Sequence, residues 1–167
     1  MLSMSNAETL IHAFMTSRVD YCNALLGGCS TRLINKLQLV QNAAARVLTS
    51  TRKYDHISPV LSALHWLPIK HCIDFKILLI TYKALNGLAP QYLSELISHY
   101  SPSHLLHSQN SGNLIIPRIS KSTAGGRSFS YLAPKLWNNL PNTVREADTI
   151  CQFKSRLKTH LFNLAYT

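Results

Sequence analysis

Apolar residues recur along this chain mostly at steps of three and four, the spacing that places side chains on one face of an α-helix. The clearest example lies between residues 30 and 50. Its apolar stripe consists of Leu33, Leu37, Val40, Ala44 and Val47. Its opposite face carries Asn35, Gln38, Asn42 and Arg46. The pattern predicts an amphipathic helix, capped by Ser30, that docks on a neighbour through the apolar stripe.

Several more helices follow from the same spacing and from capping residues. They are predicted at about 7–26, 59–64, 69–85, 134–141 and 150–165, with one more short helix after Pro90. Pro59 and Pro134 are each expected at the first helical position. Thr143 with Glu146, and Thr149 with Gln152, have the spacing of capping boxes. The stripe of the last helix consists of Ile150, Phe153, Leu157, Leu161 and Leu164.

A corner is predicted at the stretch "LHWLPIK", residues 64–70. Pro68 disfavours helical geometry at Leu67, so one helix ends before it and the next begins after it. Trp66 would bury roughly 200 Å² if it folded over the start of the second helix. The apolar neighbours Leu64 and Leu67 favour a side chain packed in the core. A base-stacking tryptophan is the alternative.

The character of the chain changes after Tyr100. Residues 101–126 are rich in Ser, Asn, His, Gly and Pro, and no acidic residue occurs between Glu95 and Glu146. The segment is predicted to be a basic, polar linker or arm that contacts a polyanion, with a solvated flexible loop as the alternative. We expect a mainly α, small multi-helix domain of about six helices. Its expected parts are a helical core (1–100), the extended loop (101–126) and a C-terminal helical segment (127–167) that packs back on the core.

Charge narrows the class of partner. Seventeen Lys and Arg stand against seven Asp and Glu, a net charge of +10. Such an excess favours nucleic acid, with an anionic membrane surface as the competitor. No apolar run approaches the ~20 residues of a membrane span, and the first residues lack the pattern of a signal peptide. Four scattered cysteines do not form a disulfide scaffold. We therefore expect an intracellular protein, cytoplasmic or nuclear, with RNA or DNA as its partner and no membrane.

Catalytic motifs are absent. The sequence has no phosphate-binding G-x-x-x-x-G-K-[ST] loop, no G-x-S-x-G elbow and no clustered carboxylates for a two-metal centre. Five residues are candidate zinc ligands, namely Cys22, Cys29, His65, His71 and Cys72. A zinc site is disfavoured because Cys22 and Cys29 are farther apart in sequence than paired ligands usually are. We predict that the chain is not an enzyme by itself and holds no metal or cofactor.

Four blocks in register resemble one protein family. They are "SRVDYCNALLGG" (17–28), "KLQLVQNAAARVLT" (36–49), the stretch 64–96 that begins "LHWLPIK", and the stretch 127–162 that begins "RSFSYLAPKLWNNLP". Together they resemble the carboxy-terminal region of reverse transcriptases from non-LTR (LINE-like) retrotransposons. The resemblance covers nearly the whole chain. Gly126, Tyr131 and Leu132 depart from the family pattern.

The resemblance implies an RNA-directed DNA polymerase in the intact family protein, with an amino-terminal endonuclease, magnesium and target-primed reverse transcription. Its Tyr-x-Asp-Asp centre has no match here, since "KYDH" and "VDYC" lack paired carboxylates. No catalytic residue can therefore be carried over. The chain is expected to begin inside the longer reading frame and to contact the upstream polymerase domain in the intact protein.

The main hypothesis is a fragment that lacks the catalytic centre and binds RNA or DNA through phosphates, without reading sequence. The candidate residues are Arg118, Lys121, Arg127, Lys135, Lys154, Arg156 and Lys158. A helical module that binds protein through the stripe of the last helix or through "YLAPKLW" is one alternative. A non-functional remnant is the other.

Overall fold

The computed structural model describes residues 4–101 and 112–167 of the chain. The α-helices are α1 (Met4–Ile11), α2 (Ser17–Asp20), α3 (Thr31–Thr49), α4 (Ile57–Ala63), α5 (Ile69–Leu85), α6 (Gln91–Ser94), α7 (Ser122–Gly125), α8 (Phe129–Asn138), α9 (Asn142–Arg145) and α10 (Ile150–Tyr166). Six of them have seven residues or more, which confirms the mainly α prediction. The described residues contain no strand, and one isolated antiparallel bridge pairs His99 with Leu114.

The chain divides into two compact units. The first comprises the described residues through Ile73 together with Leu161–Thr167, and the second is Asp74–His160. The boundaries fall inside α5 and α10, so each of these long helices contributes residues to both units. Of the predicted linker 101–126, residues 102–111 lie outside the described part of the chain. Its remainder includes the bridge residue Leu114 and helix α7.

The predicted first helix is interrupted. A π-helical turn, His12–Thr16, joins α1 to α2, and a 3₁₀-helix, Asn23–Leu26, follows after a break. The break falls at Cys22, whose φ of 53° is left-handed. Because a left-handed residue cannot continue a right-handed helix, the single helix predicted over 7–26 is wrong at this point.

Helix α3 begins and ends where the sequence predicts, but the Ser30 side chain makes no capping hydrogen bond. The face that the helix buries also differs from the prediction. Gln41, Ala45 and Leu48 are buried. Leu33, Val40 and Val47 of the predicted stripe are 41%, 51% and 74% exposed. The stripe assignment is therefore wrong. Within the first unit, α3 contacts α4 and α1.

The reason lies in the backbone around Pro68. The Nε2 of Gln41 donates to the Leu67 carbonyl at 2.9 Å, and the Ile69 N–H donates to the Oε1 of Gln38 at 2.9 Å. Gln38 in turn donates to the side-chain oxygens of Gln41 and Asn42, each at 2.8 Å. Burying these backbone groups without partners would cost more than exposing valines, so α3 turns its amides inward.

The predicted helix change at this corner is confirmed. Helix α4 ends at Ala63, and α5 runs from Ile69 to Leu85 after Pro68. Trp66 is half-buried, whereas Leu67 and Ile69 are in the core. The apolar side chains buried at the corner are therefore Leu67 and Ile69. Trp66 is not packed in the core as the sequence predicts.

The second unit is built around three stacked aromatic rings. The ring centroids of Tyr82 and Phe153 are 4.3 Å apart, and those of Trp137 and Phe153 are 5.9 Å apart. The Tyr82 hydroxyl donates to the Ala147 carbonyl at 2.8 Å, and the Trp137 Nε1 donates to Gly112 at 3.0 Å. Both polar ends of the buried rings thus have partners, as buried Tyr and Trp require.

Three predicted helix starts are corrected. Helix α4 begins at Ile57 rather than at Pro59, and Pro134 lies inside α8, which begins at Phe129. A buried proline is tolerated there at the loss of one helical hydrogen bond. Helix α9 begins after Pro141, so Glu146 stands at its C-terminal end and the Thr143–Glu146 capping box does not form.

The start of α10 agrees with its prediction. The hydroxyl of Thr149 accepts from the Gln152 N–H at 3.2 Å. The Oε1 of Gln152 accepts from the Asp148 N–H at 2.9 Å, one residue before the partner that a capping box uses. Phe153, Leu157 and Leu161 are buried as predicted, whereas Leu164 is 62% exposed.

Candidate nucleic-acid interface

All seven basic residues proposed from the sequence lie in the second unit, and all seven are exposed. Arg118 and Lys121 lie on the segment before α7, and Arg127 follows that helix. Lys135 is on α8. The other three are on α10. The unit as a whole is basic, because residues 74–160 contain ten Lys and Arg and four Asp and Glu, a difference of six.

Helix α10 presents its three cations on two sides of the buried stripe. Lys154 and Lys158 are four residues apart, so they share one face of the helix. Arg156 falls about 200° around the axis from Lys154 at the 100° per residue of an α-helix. No Asp or Glu occurs from Ile150 to Tyr166, so nothing on this helix neutralises them. The structure therefore pairs two of the three candidates and separates the third.

Arg156 and Lys135 make specific contacts within the protein. The Nη1 of Arg156 donates to the Thr143 carbonyl at 2.6 Å and ties α10 to α9. The Nζ of Lys135 lies 5.6 Å from the centroid of the Tyr131 ring, within the range of a cation–π contact. Arg156 thus has a structural contact as well as a surface position. Substituting it would disturb packing as well as charge.

Arg145, on α9 in the same unit, was not among the seven candidates. It is half-buried, and its Nη1 donates to the Oδ1 of Asn113 at 2.6 Å. Its Nη2 donates to the Oδ1 of Asn142. Its Nε is buried without a partner among the described residues. The run of basic residues that contains Arg145 is visible in the sequence, but its contact with Asn113, 32 residues away, is not.

A cavity of about 240 Å³ lies beside Arg145, within the second unit. Its polar wall includes Arg145, Asn142, Glu146 and His99. Its remaining lining residues are Tyr82, Leu85, Asn86, Gly112, Trp137 and Ala147. The cavity thus combines a basic group and an acidic group with apolar surface from the aromatic core.

The geometry offers no metal centre or membrane span within residues 4–101 and 112–167. No cluster of three or more His, Cys, Asp or Glu side chains in that part of the chain could hold an ion. No helix there combines the length and the apolar character of a membrane-crossing segment.

Comparison with protein-family models, with curated proteins and with solved structures finds no match to this chain.

Proposed function

We propose that this chain is the post-polymerase region of a non-LTR retrotransposon reverse transcriptase and that it binds RNA or DNA through phosphate contacts, without reading sequence. The four sequence blocks that resemble that family support the first part. The basic second unit supports the second part. The chain lacks the family's polymerase motif, so we expect binding without polymerisation.

One observation carries the binding proposal. Helix α10 exposes Lys154, Arg156 and Lys158 and has no acidic residue along its length. Cations that are not neutralised by neighbours release counterions from a polyanion when they bind it, which is the main source of non-specific affinity. Four more exposed cations precede this helix in the second unit, namely Arg118, Lys121, Arg127 and Lys135.

The test is binding of the purified chain to a labelled RNA hairpin and to a DNA duplex across a salt series. Affinity should fall linearly on a log–log scale with salt, with a slope of about −0.9 per phosphate neutralised on duplex DNA. The double substitution K154E/K158E should weaken binding at least tenfold at low salt. It should also reduce the salt slope by the amount expected for about two phosphate contacts.

A matched control is available in the first unit. The substitution R52E/K53E changes the net charge by the same amount at two exposed residues. If binding depends on the second unit, this control should retain most of the affinity. Equal losses in the two variants would mean that only net charge matters. Absence of binding by the folded wild-type protein would contradict the proposal.

A protein-binding module is a second candidate, with a surface different from the one that the sequence suggested. The stripe of the last helix and the "YLAPKLW" block are largely buried, since Phe153, Leu157 and Trp137 are in the core. One face of α3 carries exposed apolar side chains instead, since Leu39, Val40 and Val47 are 67%, 51% and 74% exposed. Docking through that face would respond little to salt, so the same salt series separates the two candidates.

A further inference from the structure

The cavity beside Arg145 is small. Its volume is about 240 Å³, below the roughly 300–1,000 Å³ of most small-molecule pockets. It therefore suits a small molecule, or a single unit of a polymer whose other units lie outside the cavity.

The charge of Arg145 indicates which kind of group fits. Both of its contacts are to neutral amide oxygens, on Asn113 and Asn142, and no carboxylate pairs with it among the described residues. The bonds to Asn113 and Asn142 use one N–H of Nη1 and one of Nη2, so each nitrogen keeps a second N–H for another acceptor. A half-buried guanidinium without a carboxylate partner is stabilised by an anionic oxygen at these donors, and a phosphate or a carboxylate supplies one.

The composition of the second unit favours a phosphate over a carboxylate. No acidic residue occurs between Glu95 and Glu146, while that interval contains the exposed cations Arg118, Lys121, Arg127 and Lys135. Several cations on one unit attract a polymer with a charge at each unit more strongly than a peptide with a single terminal carboxylate. The apolar lining from Leu85, Tyr82 and Trp137 suits the ring of a base or sugar.

We infer that the cavity holds one nucleotide of a single-stranded polynucleotide, with Arg145 as the partner of its phosphate. This inference rests on the proposed nucleic-acid binding and adds a place for an unpaired nucleotide. Glu146 also lines the cavity, and no described residue pairs with its carboxylate. That carboxylate repels a phosphate, so its removal should strengthen binding.

The experiment compares a fluorescein-labelled single-stranded RNA octamer with a blunt DNA duplex, using the full chain. The substitution R145Q should weaken binding of the octamer about tenfold and reduce its salt slope by about 0.7, the value for one phosphate on a single strand. Binding of the duplex, which has no unpaired nucleotide, should change less than threefold. The substitution E146Q should strengthen octamer binding two- to fivefold.

R145Q is expected to weaken octamer binding and E146Q to strengthen it. A general loss of folding would explain only the first result. If R145Q does not fold, E146Q decides alone: stronger octamer binding supports the inference, and unchanged binding overturns it. If R145Q loses affinity equally for the octamer and the duplex, the inference about the cavity is overturned and the proposed function stands. Wild-type protein that binds neither probe overturns both.

Competition identifies the anion. A ribonucleoside monophosphate should displace the octamer from the wild-type protein, and the corresponding nucleoside, which lacks the phosphate, should require at least tenfold more. A short peptide with a free C-terminal carboxylate should not displace it. Displacement by the peptide alone would assign the cavity to a protein partner and overturn the inference.

Discussion

The hydroxyl of Tyr166 donates a hydrogen bond to the backbone carbonyl of Trp66, 100 residues earlier in the chain. Both residues belong to the first unit. The same corner contains a stacked pair, His65 and Phe162, whose ring centroids are 5.7 Å apart. The end of α10 therefore holds the corner through a main-chain oxygen and an aromatic stack, while the indole of Trp66 remains half-buried.

The first prediction concerns this hydrogen bond and pH. Burial, reinforced by the charge of Cys72, raises the pKa of Tyr166 from 10.0 to about 12. The folded protein holds the phenolic proton more tightly than the unfolded chain does. The resulting stabilisation is therefore complete below about pH 10 and is lost as the pH rises through 12.

The substitution Y166F removes both the hydrogen bond and the titrating group. At pH 8 it should lower the free energy of unfolding by about 0.5–1.5 kcal/mol. The difference between wild type and variant should shrink between pH 10 and 12, as measured by urea unfolding at a series of pH values. Tyr54 is 92% exposed, so Y54F should leave that pH dependence unchanged. A difference that stays constant up to pH 12 would contradict the prediction.

The second prediction concerns the glutamines of α3. Replacing Gln41 by Ala removes the Nε2 donor of the buried Leu67 carbonyl, whose remaining contact is the weak donor Cys72 Sγ at 3.3 Å. We expect a loss of about 1–3 kcal/mol in the free energy of unfolding. Asn35 is exposed on the same helix, so N35A should change stability by less than about 0.5 kcal/mol. Equal effects would show that the corner does not depend on Gln41.

These glutamines also show what the sequence can predict about the fold. The start of α5 after Pro68 and its end before Asn86–Gly87 follow from local signals. The buried face of α3 does not, because Gln41 and Gln38 bond to groups 26 and 31 residues away. Hydrophobic periodicity predicts the buried face from the spacing of apolar residues alone. It cannot detect a buried carbonyl, distant in sequence, that needs a hydrogen-bond donor.

The candidate site was predicted to a similar extent. Exposed lysines and arginines in a basic stretch are recognisable because long charged side chains are rarely buried. Arg145 could not be singled out in this way, since its half-burial and its bond to Asn113 depend on how α9 meets the segment around Leu114. The cavity itself arises from packing and has no signature in the sequence.

The third prediction concerns the attachment of that segment to α8. Asn138 accepts from the Leu114 N–H at 2.8 Å and donates to the Leu114 carbonyl at 2.9 Å. Replacing Asn138 by Asp keeps the acceptor but sets a carboxylate oxygen against the carbonyl. We expect a loss of about 1–3 kcal/mol, measured by thermal unfolding. The neighbouring Asn139 is exposed, so N139D provides the same change of charge as a control.

Equal losses of stability in N138D and N139D would contradict this prediction, because the added charge alone would then account for both losses. A second readout is hydrogen exchange at the Leu114 amide. It should accelerate in N138D, since repulsion between the carboxylate and the Leu114 carbonyl loosens the attachment of this segment, and stay near the wild-type rate in N139D.

The fourth prediction compares two leucines of α10. Leu157 is fully buried, whereas Leu164, which the sequence assigned to the same stripe, is 62% exposed. Truncating Leu157 to Ala removes core contacts and leaves a cavity, so L157A should cost about 2–5 kcal/mol. The same truncation at Leu164 removes mostly solvated surface, and L164A should cost less than about 0.5 kcal/mol. Because the two changes delete the same atoms from one helix, differences in chemistry or helix propensity cancel. Urea unfolding of both variants measures the contrast, and equal costs would mean that Leu164 is buried by a partner in solution.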